Sequence, residues 1–425
     1  MTPARFNSHL AQTLSQMFAG KPPLAIGVAV SGGGDSIALL RGLVAWARAR
    51  RGVVFAASVD HGLRPEAAAE AAFVAELCAE LGVAHNILKW EQGPSGGNLQ
   101  EAARNARYEL LTAWAHDHEI TDVALGHTRD DQAETVLMRL ARGSGVDGLS
   151  GMASKRKRDG VTWLRPLLSL DRADLRSCLE AMDQPWVEDP SNEDLRFDRI
   201  KARKILDLTA PLGLDVATLA RTASHMADAR EALESATFSL ARQTLEDRSG
   251  DLVLDRIAFL RAPFELQTRL LAHAIGWVGS TSYRPRFRAL STVLDHLIEG
   301  RTQTLQGCLL SATKIEFRVA REYNAVGDTC VPVETGLWDT RWRIEGPDAT
   351  ALPEGGEIRA LGLHGLQQLA PEMRGDLPRS SRVALPAVWC GEQLVAAPLP
   401  DLAEGEWHLI RTSGEKHMLS LIMSH

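Results

Sequence analysis

What this sequence lacks narrows its function first. Its five cysteines (Cys78, Cys178, Cys308, Cys330, Cys390) stand far apart, are odd in number and form no CxxC pair. That argues against a disulfide framework and offers no zinc or iron–sulfur ligand set. No run of about 18 apolar residues occurs, so a membrane-spanning helix is excluded. The first residues, MTPARFNSHLAQTLSQMF, contain no apolar stretch and no small-residue cleavage site. They read as a short amphipathic helix rather than a secretory signal, and a cytoplasmic protein is the expectation. Charge of one sign is not in excess either. The 47 basic residues face 54 acidic ones, a net of −7, which excludes a uniformly basic nucleic-acid binder. A local patch stays open, because Arg139 to Lys204 hold 14 Lys and Arg against 11 Asp and Glu.

What is present is ordinary globular composition, 45% hydrophobic and 24% charged. At about 100–200 residues per domain the 425 residues suggest two to four domains. The first half alternates apolar runs with helical patterns. Strands are expected at 24–30, 53–59, 83–88 and 122–127. Helices follow from Ser36 to Arg50, Pro65 to Leu81, Asn98 to His118 and Asp130 to Arg142. Four such alternations imply an α/β fold with a parallel sheet and helices on both faces. Residues 143–160 are rich in Gly, Ser and Lys/Arg and read as a mobile loop. Helical patterns from Val216 to about Glu246, near 263–278 and near 285–299 suggest a helical second domain. Short β-type runs (TLQGCLL, KIEFRVA, RVALPAVWC, QLVAAPL) suggest a small mixed or mainly β domain at the C-terminus. The expected division is 1–212, 213–330 and 331–425.

Three polar clusters follow the carboxyl ends of expected strands, where open parallel sheets bind ligands. In the first, Ser31, Gly32, Gly33, Gly34, Asp35 and Ser36, glycines allow close approach of an anion and the next helix offers free N–H groups. Asp35 has the wrong charge for phosphate and suits a Mg²⁺ that bridges phosphates. The loop has no Lys, so it is not the GxxxxGK[ST] motif. In the second, Asp60 and His61 fit either a nucleotide contact or a strand-end turn, and Arg64 either nucleotide or solvent. In the third, HTRDDQAET, Thr128 and Asp131 have capping-box spacing. Capping alone does not explain why His127, Asp130, Asp131 and Glu134 gather there. Such carboxylates suit a metal or an amine.

Taken together, SGGGDS, VDHGLRPE (59–66), GNLQEAARNARY (97–108), GHTRDDQAETVLMRLARGSG (126–145) and EDPSNEDLRFDRIKAR (188–203) resemble the tRNA(Ile)-lysidine synthetase family of PP-loop ATP pyrophosphatases. The resemblance covers about residues 20–210 strongly and 304–324 more weakly. It implies a ligase using ATP, Mg²⁺ and free L-lysine on the wobble cytidine of tRNA(Ile) with a CAU anticodon. Cytosine O2 takes the adenylyl group, pyrophosphate leaves, and lysine then attacks C2 and expels AMP. Asp35, His127, Asp131 and Glu134 are the implied catalytic residues, with Asp35 and Asp131 toward the metal. Ser31 to Ser36, Asp60 and His61 are the implied ATP contacts. Arg64, Lys155, Arg156, Lys157, Arg158, Arg199, Lys201 and Arg203 are the implied tRNA contacts, although the 155–158 run fits a solvated loop as well. His127 and Asp131 both remain open as the base. The family's R-N-R-x-R segment here reads Arg199-Ile200-Lys201-Ala202-Arg203, so nothing carries over from its asparagine to Ile200. No membrane and no obligate protein partner is implied. A cytidine thiolase would need cysteines, a small-molecule amide synthetase would not need the basic middle segment, and a nucleotide-binding RNA chaperone would not need the extra carboxylates.

Overall fold

The computed structural model describes residues 1–62, 67–91, 93, 99–188, 196–281, 283–335, 337–346, 356–371, 376–399, 407–412 and 415–423. These fall into two compact units, Met1–Arg230 and Glu231–Ser424.

The first unit opens with helix α1 (Pro3–Met17), amphipathic as expected, with Phe6, Leu10 and Leu14 buried. Then β1 (Ala25–Ala29), α2 (Gly34–Arg48), β2 (Val53–Asp60), α3 (Ala67–Leu81), β3 (Ala84–Lys89), α4 (Leu99–Asp117), β4 (Asp122–Leu125) and α5 (Arg129–Ala141) alternate. Short α6 (Val146–Leu149), β5 (Lys155–Arg158) and β6 (Val161–Leu164) follow, then α7 (Arg172–Glu180) and α8 (Asp198–Thr209). The sheet order is β3-β2-β1-β4-β6-β5, parallel except for β5. Strand order reverses between β1 and β4, which opens the crevice at their carboxyl ends. One face of the sheet buries Ile26, Val28 and Val54 against α1, α2 and α7. The other buries Ala29, Ala57 and Val123 with Leu111 and Trp114 of α4 and Trp163 of β6.

The expected loop at 143–160 is corrected by the structure. Lys155–Arg158 form an antiparallel edge strand, with Lys155 opposite Leu164 and Arg158 opposite Val161. The turn is Asp159-Gly160, both at positive φ (51° and 80°), the Asp-Gly pair that a two-residue hairpin prefers.

Helix α9 (Val216–Thr244) contains the boundary between the units. In the second unit β7 (Leu245–Arg248), β8 (Asp251–Asp255), β9 (Gln303–Leu305), β10 (Cys308–Ala312) and β11 (Glu316–Arg321) form an antiparallel sheet, order β7-β8-β11-β10-β9. Helices α10 (Arg256–Arg261), α11 (Phe264–Val278) and α12 (Phe287–Ile298) pack with it around Phe259, Leu270, Ile275, Leu294 and Phe317. The β7–β8 hairpin is not anticipated by the helical pattern, which ends in sequence at about residue 246. Beyond it, a separate core around Trp338, Trp342, Ile358, Val388 and Trp389 joins a four-stranded and a three-stranded antiparallel sheet. All four expected β-type runs form strands in this unit: TLQGCLL and KIEFRVA supply β9, β10 and β11 of the five-stranded sheet, and RVALPAVWC and QLVAAPL supply Pro386–Cys390 and Gln393–Ala396 of the four-stranded one.

Candidate active site

Strand β1 ends at Ala29 and α2 starts at Gly34, so four residues must turn the chain. Gly32 takes φ +87°, open only to glycine without strain. Ser36 Oγ donates to the Gly33 carbonyl at 2.8 Å and accepts from the Ser31 N–H at 3.2 Å, which ties the loop shut. Gly33 caps α2 with no side-chain hydrogen bond. The first N–H groups of a helix have no partner within it, so this end is suited to an anion. Gly126, just past β4, permits the second strand's close approach. A Cβ there would lie 3.1 Å from Asp35 O and from Ser36 N.

One cavity of about 550 Å³ lies at these strand ends. Of the expected residues it gathers Ser31, Gly33, Gly34, Asp35, Ser36, Asp60, His61, His127, Asp131, Glu134, Arg199 and Arg203 along its wall. Gly32 shapes the loop from behind, with Val187 at its back. Lys201 and the strand Lys155–Arg158 do not line the cavity. Arg64 and residues 189–195 of the EDPSN segment lie outside the described residues. Asp60 Oδ1 accepts the Gly62 N–H at 2.9 Å, which makes the strand-end turn.

The acidic cluster is held by a residue that the motifs do not name. Arg172, at the start of α7, sends Nε to Asp35 Oδ2 at 3.1 Å, Nη2 to Asp131 Oδ1 at 3.3 Å and Nη1 to Glu134 Oε1 at 3.5 Å. Its backbone N–H donates to Asp130 Oδ2 at 2.8 Å. From α8, Arg203 reaches Glu134 Oε1 at 3.0 Å and Arg199 approaches Asp131 Oδ1 at 3.6 Å. The helix turn puts positions 199 and 203 on one face and 201 on another. Lys201 accordingly pairs with Asp198 instead. Ile200, where the family motif has asparagine, is buried. Only Arg172's position in the fold, 137 residues from Asp35, brings it here, so no local spacing signals it. Arg107 also lines the cavity unforeseen.

Electrostatics sort these groups. Burial pushes the Asp35 carboxyl above its ordinary range, Arg172 offsets part of that, and Asp131 adds to it. Burial likewise raises Glu134, which is 1% exposed, against the pull of Arg172 and Arg203. For Asp131 burial works in the same direction, but Arg172, Arg199, His127 and the Thr128 N–H together hold it below the usual carboxylate range. The same residue completes a capping box, with Oδ2 accepting the Thr128 N–H at 2.8 Å. Capping and site chemistry therefore use different oxygens of one carboxylate. Burial pushes the His127 ring down to about 3, helped by Arg165, Arg107 and Arg199 against Asp131. The ring is neutral at pH 7, and its Nδ1 has no hydrogen-bond partner. Burial and Arg107 lower His61 as well.

Asp35 Oδ1 and Glu134 Oε2 are buried without a partner. Among the described residues no group of three His, Cys, Asp or Glu is arranged to hold a metal alone. That fits Mg²⁺, which is commonly bound by one or two carboxylates and completed by phosphate oxygens and water. Asp35 has a free oxygen for it, whereas both oxygens of Asp131 already accept from Thr128 and the arginines. Cys78 and Cys178 are buried in the core, and no cysteine lines the cavity among the described residues.

Comparison with known proteins adds the following. A family model described as a PP-loop domain matches residues 6–208. A tRNA(Ile)-lysidine synthase of Ruegeria pomeroyi is 46% identical over 98% of this chain and 98% of its own. One from a Wolbachia endosymbiont of Brugia malayi is 35% identical over 75% of this chain and 76% of its own. Among solved structures, a U34-tRNA thiolase of Methanococcus maripaludis is 18% identical, covers 52% of this chain and 78% of its own, and superposes with a TM-score of 0.46.

Proposed function

We propose a division of labour for this chain, which belongs to the tRNA(Ile)-lysidine synthase family of PP-loop proteins. It is an ATP-dependent ligase that forms lysidine on tRNA(Ile), and the site chemistry lets the finer steps be assigned. The observation that carries the assignment is the single cavity in which an anion-binding helix end faces a carboxylate cluster neutralised by arginines.

In this reading the 31–36 loop and the start of α2 hold the ATP phosphates, with Ser31 and Ser36 as hydroxyl donors. Asp60 and His61 lie beside the nucleotide. Magnesium, held by Asp35 with Asp131 nearby, supplies positive charge to the triphosphate when bound. Cytosine O2 of the wobble position in the CAU anticodon attacks the α-phosphate, and the polarised phosphates favour departure of pyrophosphate. Glu134 and Asp131 then hold the ε-ammonium of free L-lysine. A base on the cavity wall, His127 through its unpartnered Nδ1 or Asp131, takes the proton that frees the amine for attack at C2, and AMP leaves. Arg107, a cation on the cavity wall, suits an anionic group of either substrate.

We assign catalysis to residues 1–212, tRNA binding to 213–330 and a small separate domain to 331–425. The tRNA contacts assigned in the first of these are Arg64, Lys155 to Arg158, Arg199, Lys201 and Arg203. A cytoplasmic location fits an enzyme acting on tRNA, and among the described residues no helix is long and apolar enough to cross a membrane.

The test is nucleoside analysis of a tRNA(Ile) transcript with a CAU anticodon after incubation with ATP, Mg²⁺ and lysine. Lysidine at the wobble position, with pyrophosphate release that requires the tRNA and no sulfur donor, is expected. Pyrophosphate release without tRNA, or a thiolated base on adding sulfur, would point to one of the other PP-loop chemistries.

A further inference from the structure

We propose that the adjoining starts of α11 and α12, in the second unit, form an RNA-docking surface that stacks unpaired bases and binds phosphates of the tRNA substrate. The inference rests on the reading that tRNA is the substrate, and it concerns a surface remote in sequence from every motif of the catalytic cavity.

Three aromatic side chains are exposed in this short region. Tyr283 is 73% exposed, Phe287 61% and Phe264 47%. Phe264 and Phe287 meet edge to face, with ring centroids 6.1 Å apart, so the two helix starts are neighbours. The core does not use these rings. Helix α12 buries Leu290, Val293, Leu294 and Leu297, and Phe287 stays outside that stripe. Exposed apolar rings of this size, grouped rather than scattered, mark an interaction site.

The residues between them select the partner. The segment reads Tyr283-Arg284-Pro285-Arg286-Phe287-Arg288, with Arg284, Arg286 and Arg288 exposed and Pro285 buried. Arg261, one turn before Phe264, is exposed too. No acidic residue occurs between Gly279 and Leu294, or between Arg256 and Phe264. Among the described residues Arg261, Arg286 and Arg288 carry no ion pair, whereas arginines elsewhere in this unit, such as Arg318 and Arg321, do. In a chain of net charge −7, this concentration of unneutralised cations runs against the general trend. Both helices start without a side-chain cap; α12 has no acidic residue in its first turn, so its positive dipole end adds to the arginine charge, whereas Glu265 offsets that of α11. Aromatic faces interleaved with arginines bind unstacked bases and the backbone between them. A purely apolar partner would leave the arginines buried and unpaired, and an acidic peptide would not use three exposed rings.

The experiment uses full-length protein in two variants, Tyr283→Ala with Phe287→Ala, and Arg286→Gln with Arg288→Gln. Affinity for the tRNA(Ile) transcript is measured from about 50 to 200 mM salt. The aromatic pair should lose about 5- to 150-fold in affinity per stacked base, with the log–log salt slope unchanged. The arginine pair should lose affinity and flatten the slope by about 0.7–0.9 units per phosphate contact. The KM for ATP should not change in either. Curves that superimpose on wild type would overturn the proposal, as would variants that change oligomeric state but not tRNA affinity. Photocrosslinking of wild type to 4-thiouridine-labelled tRNA gives a readout independent of the variants' folding. Adducts on the peptide around 283–288 are expected, and adducts confined to the first unit would overturn it. If the wild type bound tRNA but made no lysidine, the function would fail while these affinities still decided the surface.

Discussion

Arg172 touches three carboxylates at once, which makes it the residue whose loss the site should feel most. Removing one partner from a largely buried ionic cluster costs about 3–5 kcal/mol, because the remaining charges stay desolvated. Arg172→Gln should therefore lower the melting temperature, and millimolar Mg²⁺ should restore more of it in the variant than in wild type. Equal responses to Mg²⁺ in a thermal melt would show that the arginine does not stand in for a cation. His127 supplies a pH signature. Its unfolded ring takes up a proton near pH 6.5, while the folded ring resists down to about 3. The stability from keeping it neutral is therefore complete above about 6.5 and is lost as pH falls through that window. Urea midpoints of wild type should fall more steeply with acid than those of His127→Gln, by up to one proton, and parallel curves would remove His127 from the account. The PP-loop is legible in the sequence because six consecutive residues make it. Arg172 is not, because its partners arrive from α2 and α5, and a single arginine after Asp171 carries no pattern.

At the scale of elements, the helix period decides which basic residues matter. The alternation Arg199, Lys201, Arg203 reads as one basic stretch, but α8 splits it between faces. Arg203→Ala leaves buried Glu134 with one cation fewer and should reduce lysidine formation and stability together. Lys201→Ala should stay within about ±0.5 kcal/mol in stability and leave the KM for lysine unchanged, and equal losses in the two variants would contradict the split. The β5 edge strand bears a similar correction. The pleat sends Lys155 and Lys157 to one face and Arg156 and Arg158 to the other. Lys155 Nζ lies 5.7 Å from the Phe18 ring, and the Arg158 guanidinium 5.9 Å from the Tyr108 ring. A charged edge also blocks strand addition by another molecule, so the run has a structural use without RNA. If it does meet tRNA, one backbone can reach only about two of the four charges. Changing all four to Gln should then flatten the salt dependence of tRNA affinity by about two units or less. An unchanged slope with new self-association on a sizing column would leave only the edge-protecting role. The hairpin was signalled by Asp159-Gly160, but the polar composition around it favours a loop when read alone.

Taken whole, the molecule shows why its first half was more legible than its second. Parallel β–α units repeat one apolar run and one helical pattern, and their ligand site must lie at the strand ends. The second unit is built from short antiparallel strands whose partners are far apart in sequence, such as β8 beside β11. Its core even takes Met418 and Ile422 from the C-terminal helix Glu415–Ile422. Among the described residues, every one that lines the cavity belongs to the first unit. In the proposed reading one cavity of about 550 Å³ serves ATP, a cytosine and a lysine amine. The 31–36 loop and the carboxylate cluster share its wall, so in that reading adenylation and amine attack follow one another in the same cavity. That arrangement predicts separable steps. With ATP, Mg²⁺ and tRNA but no lysine, rapid quenching should show pyrophosphate and a tRNA-linked adenylate, up to about one per active site before turnover stops. Added lysine should discharge it as AMP with no further ATP. If AMP and pyrophosphate appear only together, and only once lysine is present, the amine takes part in the first step and the sequential use of the cavity is wrong.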